Sequence, residues 1–179
     1  MKFSTKQGAP EMRATPCIAV GVYAGRKLSA TANALDRAAQ GALREVLRHG
    51  DLEGKLGSTR ILYRVPGVAA QRVLLVGLGD EADMREREYR EAARAAIKAA
   101  QETGAGKLTL CFSEIKAGRR DAAWKARQVA LVAGECAYRF DSMKSKKSDP
   151  RPLAHVELLT AAREANAAAR GLRQGEAIG

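Results

Sequence analysis

Apolar residues in this chain fall into two kinds of run, and the two kinds alternate. Short, nearly unbroken runs occur at 17–23 (CIAVGVY), 72–79 (RVLLVGLG) and 108–112 (LTLCF). Their length, their bounding turn residues and their lack of polar alternation predict strands buried on both faces. Residues 60–65 (RILYRV), closed by Pro66-Gly67, and 155–159 (HVELL) predict two more strands, and the alternating start KFSTK predicts a short edge strand. Between the strands lie helical periodicities. Leu35, Ala38, Ala39, Ala42, Leu43, Val46 and Leu47 recur at helical spacing behind Ser29 or Thr31 as N-cap, and His49-Gly50 ends that helix. Tyr89, Ala92, Ala93, Ala96, Ile97 and Ala100 predict a second helix from Glu86 to Thr103. A third spans Asp121 to Tyr138, with Ala122, Val129, Ala133 and Cys136 on one stripe. The alanine-rich segment from Arg163 to Gly175 reads as a helix without a strong apolar stripe.

This alternation predicts an α/β fold: a three-layer sandwich with a mixed, mostly parallel sheet of about six strands and helices on both faces. The 179 residues suit one domain plus a helical overhang, and the expected division is a body at 1–160 and a linker helix beginning at 161–179. Apolar residues make up 46% of the chain but aromatics only 4%, so the core is expected to be aliphatic, with Trp124 its single indole. Cys17, Cys111 and Cys136 are odd in number, lack C-x-x-C spacing and sit in apolar contexts. They are expected to be reduced, buried thiols of a cytoplasmic protein. No signal-peptide pattern opens the chain, and no apolar run is long enough for a membrane span, so no membrane partner is expected.

Charge changes the picture in one region. The net charge is +11, and the segment from Lys116 to Arg151 carries ten Lys or Arg against four acids, a net +6. Its end, YRFDSMKSKKSDPRP, packs Lys144, Lys146 and Lys147 into four positions before Arg151. Together with Arg119 and Arg120, these residues are candidates for contact with the phosphates of duplex DNA, binding that would weaken steeply with salt. Too few aromatics are present for stacking on single strands. The competing reading is a solvated loop, or one that pairs with acids on another domain or subunit.

Other chemistry is thin. Gly77-Leu-Gly79 after a strand resembles the start of a dinucleotide turn, but the third glycine is missing and Asp80, Glu81 and Asp83 follow, which would repel a phosphate. The expected structure there is a tight turn whose acids favour a helix N-terminus. Two distant histidines, His49 and His155, supply no metal-ligand spacing. There is no Gly-x-Ser-x-Gly elbow and no P-loop, and no cysteine sits in a site suited to a nucleophile. No catalytic, cofactor-binding or metal-ligating residue is assigned in the chain.

An ordered set of segments carries a resemblance: MKFS, CIAVGVY, GDLEGKLGST, RVLLVGLG, the helix around Trp124-Lys-Ala-Arg, and YRFDSMKSKK. In order and spacing over the whole chain, they resemble the N-terminal domain of the leucyl aminopeptidase family, which includes cytosol aminopeptidase and bacterial aminopeptidase A. The resemblance implies a macro-domain-like fold joined by a linker helix to a C-terminal catalytic domain. It further implies a full-length parent that is a hexameric exopeptidase, holding two divalent metal ions (Mn or Zn) and releasing N-terminal residues, often leucine. The family's metal-binding lysine, aspartates and glutamate lie in that second domain, so this chain by itself is expected to be inactive. Some bacterial members also bind DNA, which implies an alternative role in recombination or transcriptional control. A second alternative is a macro-domain-like pocket for an ADP-ribose-type ligand.

Overall fold

The computed structural model of the chain describes residues 1–143 and 151–178. Its elements in chain order are β1 (Lys2–Lys6), β2 (Ile18–Tyr23), β3 (Lys27–Leu28), α1 (Ala30–Ala38), α2 (Ala42–Arg48), β4 (Thr59–Tyr63), β5 (Arg72–Gly79), α3 (Glu86–Glu102), β6 (Lys107–Leu110), α4 (Ala122–Met143), β7 (His155–Leu159) and α5 (Ala165–Ile178). One sheet runs β1-β7-β6-β2-β5-β4, with β3 paired to the end of β2. The pairs β1–β7, β7–β6, β6–β2 and β2–β5 are parallel, and β4 and β3 are antiparallel to their neighbours. The seventh strand is β3, two residues long and far too short for hydrophobic periodicity to announce.

Alternation explains why the central strands read as unbroken apolar runs. Ile18, Val20 and Val22 of β2 and Val73 and Leu75 of β5 point to one face, where Leu35, Leu43 and Leu47 of α1 and α2 cover them. Ala19 of β2 and Leu74, Val76 and Leu78 of β5 point to the other, under α3, α4 and α5. Both faces of the sheet are therefore dry at its centre, as a parallel sheet requires. Burial of one such leucine contributes about 1.5–3 kcal/mol. Trp124 and Tyr89 close the α3–α4 side, with ring centroids 6.2 Å apart.

Two helices differ from the periodic pattern, each for a local reason. The single helix expected through Leu47 is two: Gln40 (φ 54°) and Gly41 (φ 88°) break it. The buried carboxylate of Asp36 accepts the Arg44 N–H at 3.0 Å and so caps the first turn of α2. The alanine-rich tail does own a packing face. Ala165, Ala168, Gly171, Leu172 and Gly175 are buried, and α5 lies on α4 along that stripe. A Cβ on Gly171 would meet the Ala123 carbonyl oxygen at 2.1 Å, and one on Gly175 the Arg127 carbonyl oxygen at 2.6 Å. Small residues thus supply contact by close approach, where the sequence pattern looked for bulk.

Candidate functional site

The fold divides the basic segment. Arg119 and Arg120 are exposed in the loop before α4, and Asp121 caps that helix by accepting the Trp124 N–H at 2.8 Å. Arg151 lies beyond the other end of α4, beside Gly106 at the start of β6. A helix of 22 residues is about 33 Å long, so Arg151 and the Arg119–Arg120 pair do not share one site. Lys144, Lys146 and Lys147 lie outside the described residues.

The structure gathers other arginines around Arg119 and Arg120. Arg127 on α4 and Arg170 on α5, with Trp124 and Gln174, join them around a groove of about 400 Å³. Arg120 lies over the Trp124 ring at 5.4 Å and bonds Glu86 at 2.6 Å. Arg170 was not among the candidates because only the packing of α5 on α4 brings it there; spacing in sequence carries no such signal. A larger hollow of about 810 Å³ along α3 is lined by Arg85, Arg87, Arg90, Arg94 and Arg119, but Glu86, Glu88 and Glu91 share its walls. Arg94 is committed to Glu91 and Glu135, both at 3.2 Å. The α4–α5 groove is therefore the more positive of the two, its one acid being the cap Asp121.

Gly77 and Gly79 lie at the end of β5, and the N–H groups of both glycines are already bonded within the chain. Gly77 N–H donates to Ser58 at 2.7 Å and Gly79 N–H to Gly54 at 2.8 Å. A Cβ at Gly77 would sit 1.9 Å from the Lys55 carbonyl oxygen, so this glycine exists to admit the 54–58 loop. The acids that follow form a short 3₁₀ turn, Glu81–Asp83, ahead of α3, with Glu86 and Glu88 in the first turn of that helix. The N-terminus of α1 is likewise closed by the chain itself: Glu114 accepts the N–H and hydroxyl of Thr31, and Ser29 Oγ accepts the Ala32 N–H.

The histidines bond neighbouring side chains and the three thiols are buried. His49 bonds Glu45 at 2.9 Å on α2, and His155 bonds Ser4 across β1 and β7 at 2.7 Å. Burial, with help from Lys107, lowers the pKa of His155. Burial pushes the Cys17 thiol up to about 12 and also raises Cys111 and Cys136, so none offers a thiolate near neutral pH. Burial lowers the pKa of Lys125, whose ammonium donates to the Ser113 carbonyl at 2.9 Å. Among the described residues no group of three or more His, Cys, Asp or Glu is placed to hold a metal ion.

One polar cluster escaped the sequence reading. Glu157, in the middle of β7, is 3% exposed. Arg13 grips its carboxylate with two bonds, at 2.9 and 2.7 Å, and Lys107 approaches at 3.1 Å. Thr109 donates to the same carboxylate at 2.8 Å and accepts from Thr15 at 2.9 Å. Burial alone would raise the Glu157 pKa; the bonds from Arg13, Thr109 and Lys107 overcome it and bring it to about 2. Every oxygen is spoken for, so the cluster ties the 13–15 segment to β6 and β7 and leaves no acid or base to a substrate. A lone glutamate in a strand pattern was its only sequence trace.

Comparison with known proteins places the fold in a family. The N-terminal domain model of the cytosol aminopeptidase family matches residues 19–147. A probable cytosol aminopeptidase of Methylobacillus flagellatus is 45% identical over 180 residues, covering 99% of this chain and 36% of the relative. Another, of Alkalilimnicola ehrlichii, is 44% identical over 181 residues, covering 100% and 36%. The chain thus spans about a third of the length of these relatives. Among solved structures, a tomato leucine aminopeptidase mutant superposes with TM-score 0.74 at 19% identity, over 98% of this chain and 35% of that one. The macro domain of ganglioside induced differentiation associated protein 2 gives TM-score 0.70 at 11% identity, over 97% and 84%. These two likenesses establish the fold alone. No described helix is long and apolar enough to cross a membrane. With the match covering most of the chain and relatives above 40% identity across it, the chain belongs to the cytosol aminopeptidase family and corresponds to its N-terminal domain.

Proposed function

We propose that this chain works as the non-catalytic N-terminal domain of a cytoplasmic metal-dependent aminopeptidase. The whole enzyme would release N-terminal amino acids, often leucine, from peptides, assembled as a hexamer with two divalent ions, Mn or Zn, in a second domain. In this reading residues 1–160 form the body and 161–179 begin the connection to that domain. The observation that carries it is the alignment of essentially the whole chain with about a third of each relative. Among the described residues, Glu157, His49 and His155 are each held by other side chains. The domain's role is then to position and assemble, while two metals elsewhere polarise the peptide carbonyl and activate water. The test is release of leucine from a leucyl chromogenic substrate. None is expected from the purified 179-residue chain, and chelator-sensitive turnover is expected once the second domain is present. Turnover by the 179-residue chain alone would overturn the reading.

The α4–α5 groove favours a second role, contact with duplex DNA through Arg119, Arg120, Arg127 and Arg170. Gel-shift titration at two salt concentrations tests it. Replacing Arg119 and Arg127 by alanine should weaken binding and flatten its salt slope by about one to two. Equal affinity for the variant would remove the groove from consideration. The ADP-ribose alternative has no comparable support: the N–H groups of Gly77, Gly79 and Thr31 are already bonded within the chain.

A further inference from the structure

The two edges of the sheet are built differently. β1 carries exposed Lys2 and Lys6 at its ends, the usual means of blunting an edge. β4 reads Thr-Arg-Ile-Leu-Tyr, with no lysine, proline or bulge; its one charge, Arg60, reaches toward Asp51 at 3.9 Å. Among the described residues no strand lies against its outer side.

Register shows what that side offers. Gly77 N–H donates to Ser58 and Arg64 N–H to Gln71, and both pairs continue the β4–β5 register. Hydrogen-bonded pairs alternate in an antiparallel ladder. Arg60 and Leu62 therefore turn their backbone groups toward β5, while Thr59, Ile61 and Tyr63 turn theirs outward.

We infer that β4 is an interface between two copies of this chain, paired antiparallel about a two-fold axis through Ile61. In that register Ile61 faces Ile61 of the second copy, and Thr59 and Tyr63 face each other twice. All three pairs are of the hydrogen-bonded kind, giving about six main-chain bonds from a five-residue strand. Shifting the axis to Arg60 would set arginine opposite arginine and leave Tyr63 unpaired. The Ile61 register instead places Arg60 across from Leu62 and the aromatic Tyr63 across from β-branched Thr59, a favourable cross-strand pair. Tyr63, 64% exposed in the single chain, becomes covered. The contact is isologous and closes at two.

The experiment is sedimentation equilibrium of the chain over a wide concentration range, joined to residue-resolved amide exchange. The wild-type chain should approach twice its 19.2 kDa mass. At high concentration the Thr59, Ile61 and Tyr63 amides should be as protected as those of Arg60 and Leu62; on dilution these three should lose protection while Arg60 and Leu62 keep it. The double variant Thr59→Lys/Tyr63→Lys alters two exposed side chains and sets lysine opposite lysine twice. It should weaken dimerisation by about tenfold or more while Arg60 and Leu62 stay protected. A chain that remains monomeric throughout, a dimer that the lysines do not weaken, or an Ile61 amide that exchanges freely within the dimer would each overturn the assignment. Should the variant misfold, the wild-type mass and exchange pattern still decide.

Discussion

Replacing Glu157 by glutamine removes one charge from the most connected polar group in the domain and keeps its shape. The carboxylate titrates near 2 in the fold against 4.5 as a free side chain. At about 1.4 kcal/mol per unit, this difference contributes about 3 kcal/mol at neutral pH. The sign is that of a depressed acid: the contribution is complete above 4.5 and is lost as pH falls toward 2. The E157Q variant should therefore be about 3 kcal/mol less stable at pH 7, because Arg13 and Lys107 lose their partner. In a domain whose total stability is of order 5–15 kcal/mol this is a large share. For a chain of this size it corresponds to roughly 6–12 °C in melting temperature. The assay is urea unfolding of both proteins at pH 7, 4 and 3. Protonated Glu157 has nearly the shape and hydrogen-bonding capacity of glutamine, so the two curves should converge on acidification, with the gap about halved at pH 3. A gap of constant size from pH 7 to pH 3 would refute the argument, since a purely steric effect of the substitution carries no pH dependence.

Glycines in the helices should respond with opposite signs. Gly171→Val is expected to destabilise by at least about 1–3 kcal/mol because the new side chain meets the Ala123 backbone, whereas Gly134→Ala, whose Cβ meets nothing within 4 Å, should stabilise α4 by about 0.5–1 kcal/mol. Thermal melts of the two variants decide, and equal shifts would contradict the packing. All three thiols should be inert to a thiol-reactive disulfide reagent in the folded chain at pH 8 and react together on unfolding; fast labelling of Cys17 in the native state would contradict its burial.

The central strands were legible in sequence because burial on both faces leaves a continuous apolar run, as at Val73–Leu78. The helices were legible where large residues mark the stripe, as in α3 with Tyr89 and Ile97. The reading faltered where structure rests on something other than apolar bulk. The break at Gln40-Gly41 depends on backbone conformation and on the carboxylate of Asp36, four positions before the break. The packing face of α5 consists of missing side chains. Of the six basic candidates, Arg119 and Arg120 share a groove because both precede α4, while Arg151 is carried away by the length of that helix. Arg170 joins them through a helix–helix contact 50 residues distant in sequence, which no local pattern encodes.

The seating of α5 on Gly171 and Gly175 has a mechanical consequence. A helix held by carbonyl contacts at two glycines four residues apart cannot slide by one residue without driving Leu172 or Glu176 into the backbone of α4. Its axial position is indexed, like a ratchet tooth in its notch, where a greasier seam would permit gliding. The α4–α5 seam therefore resists axial sliding and favours movement of the two helices as one body.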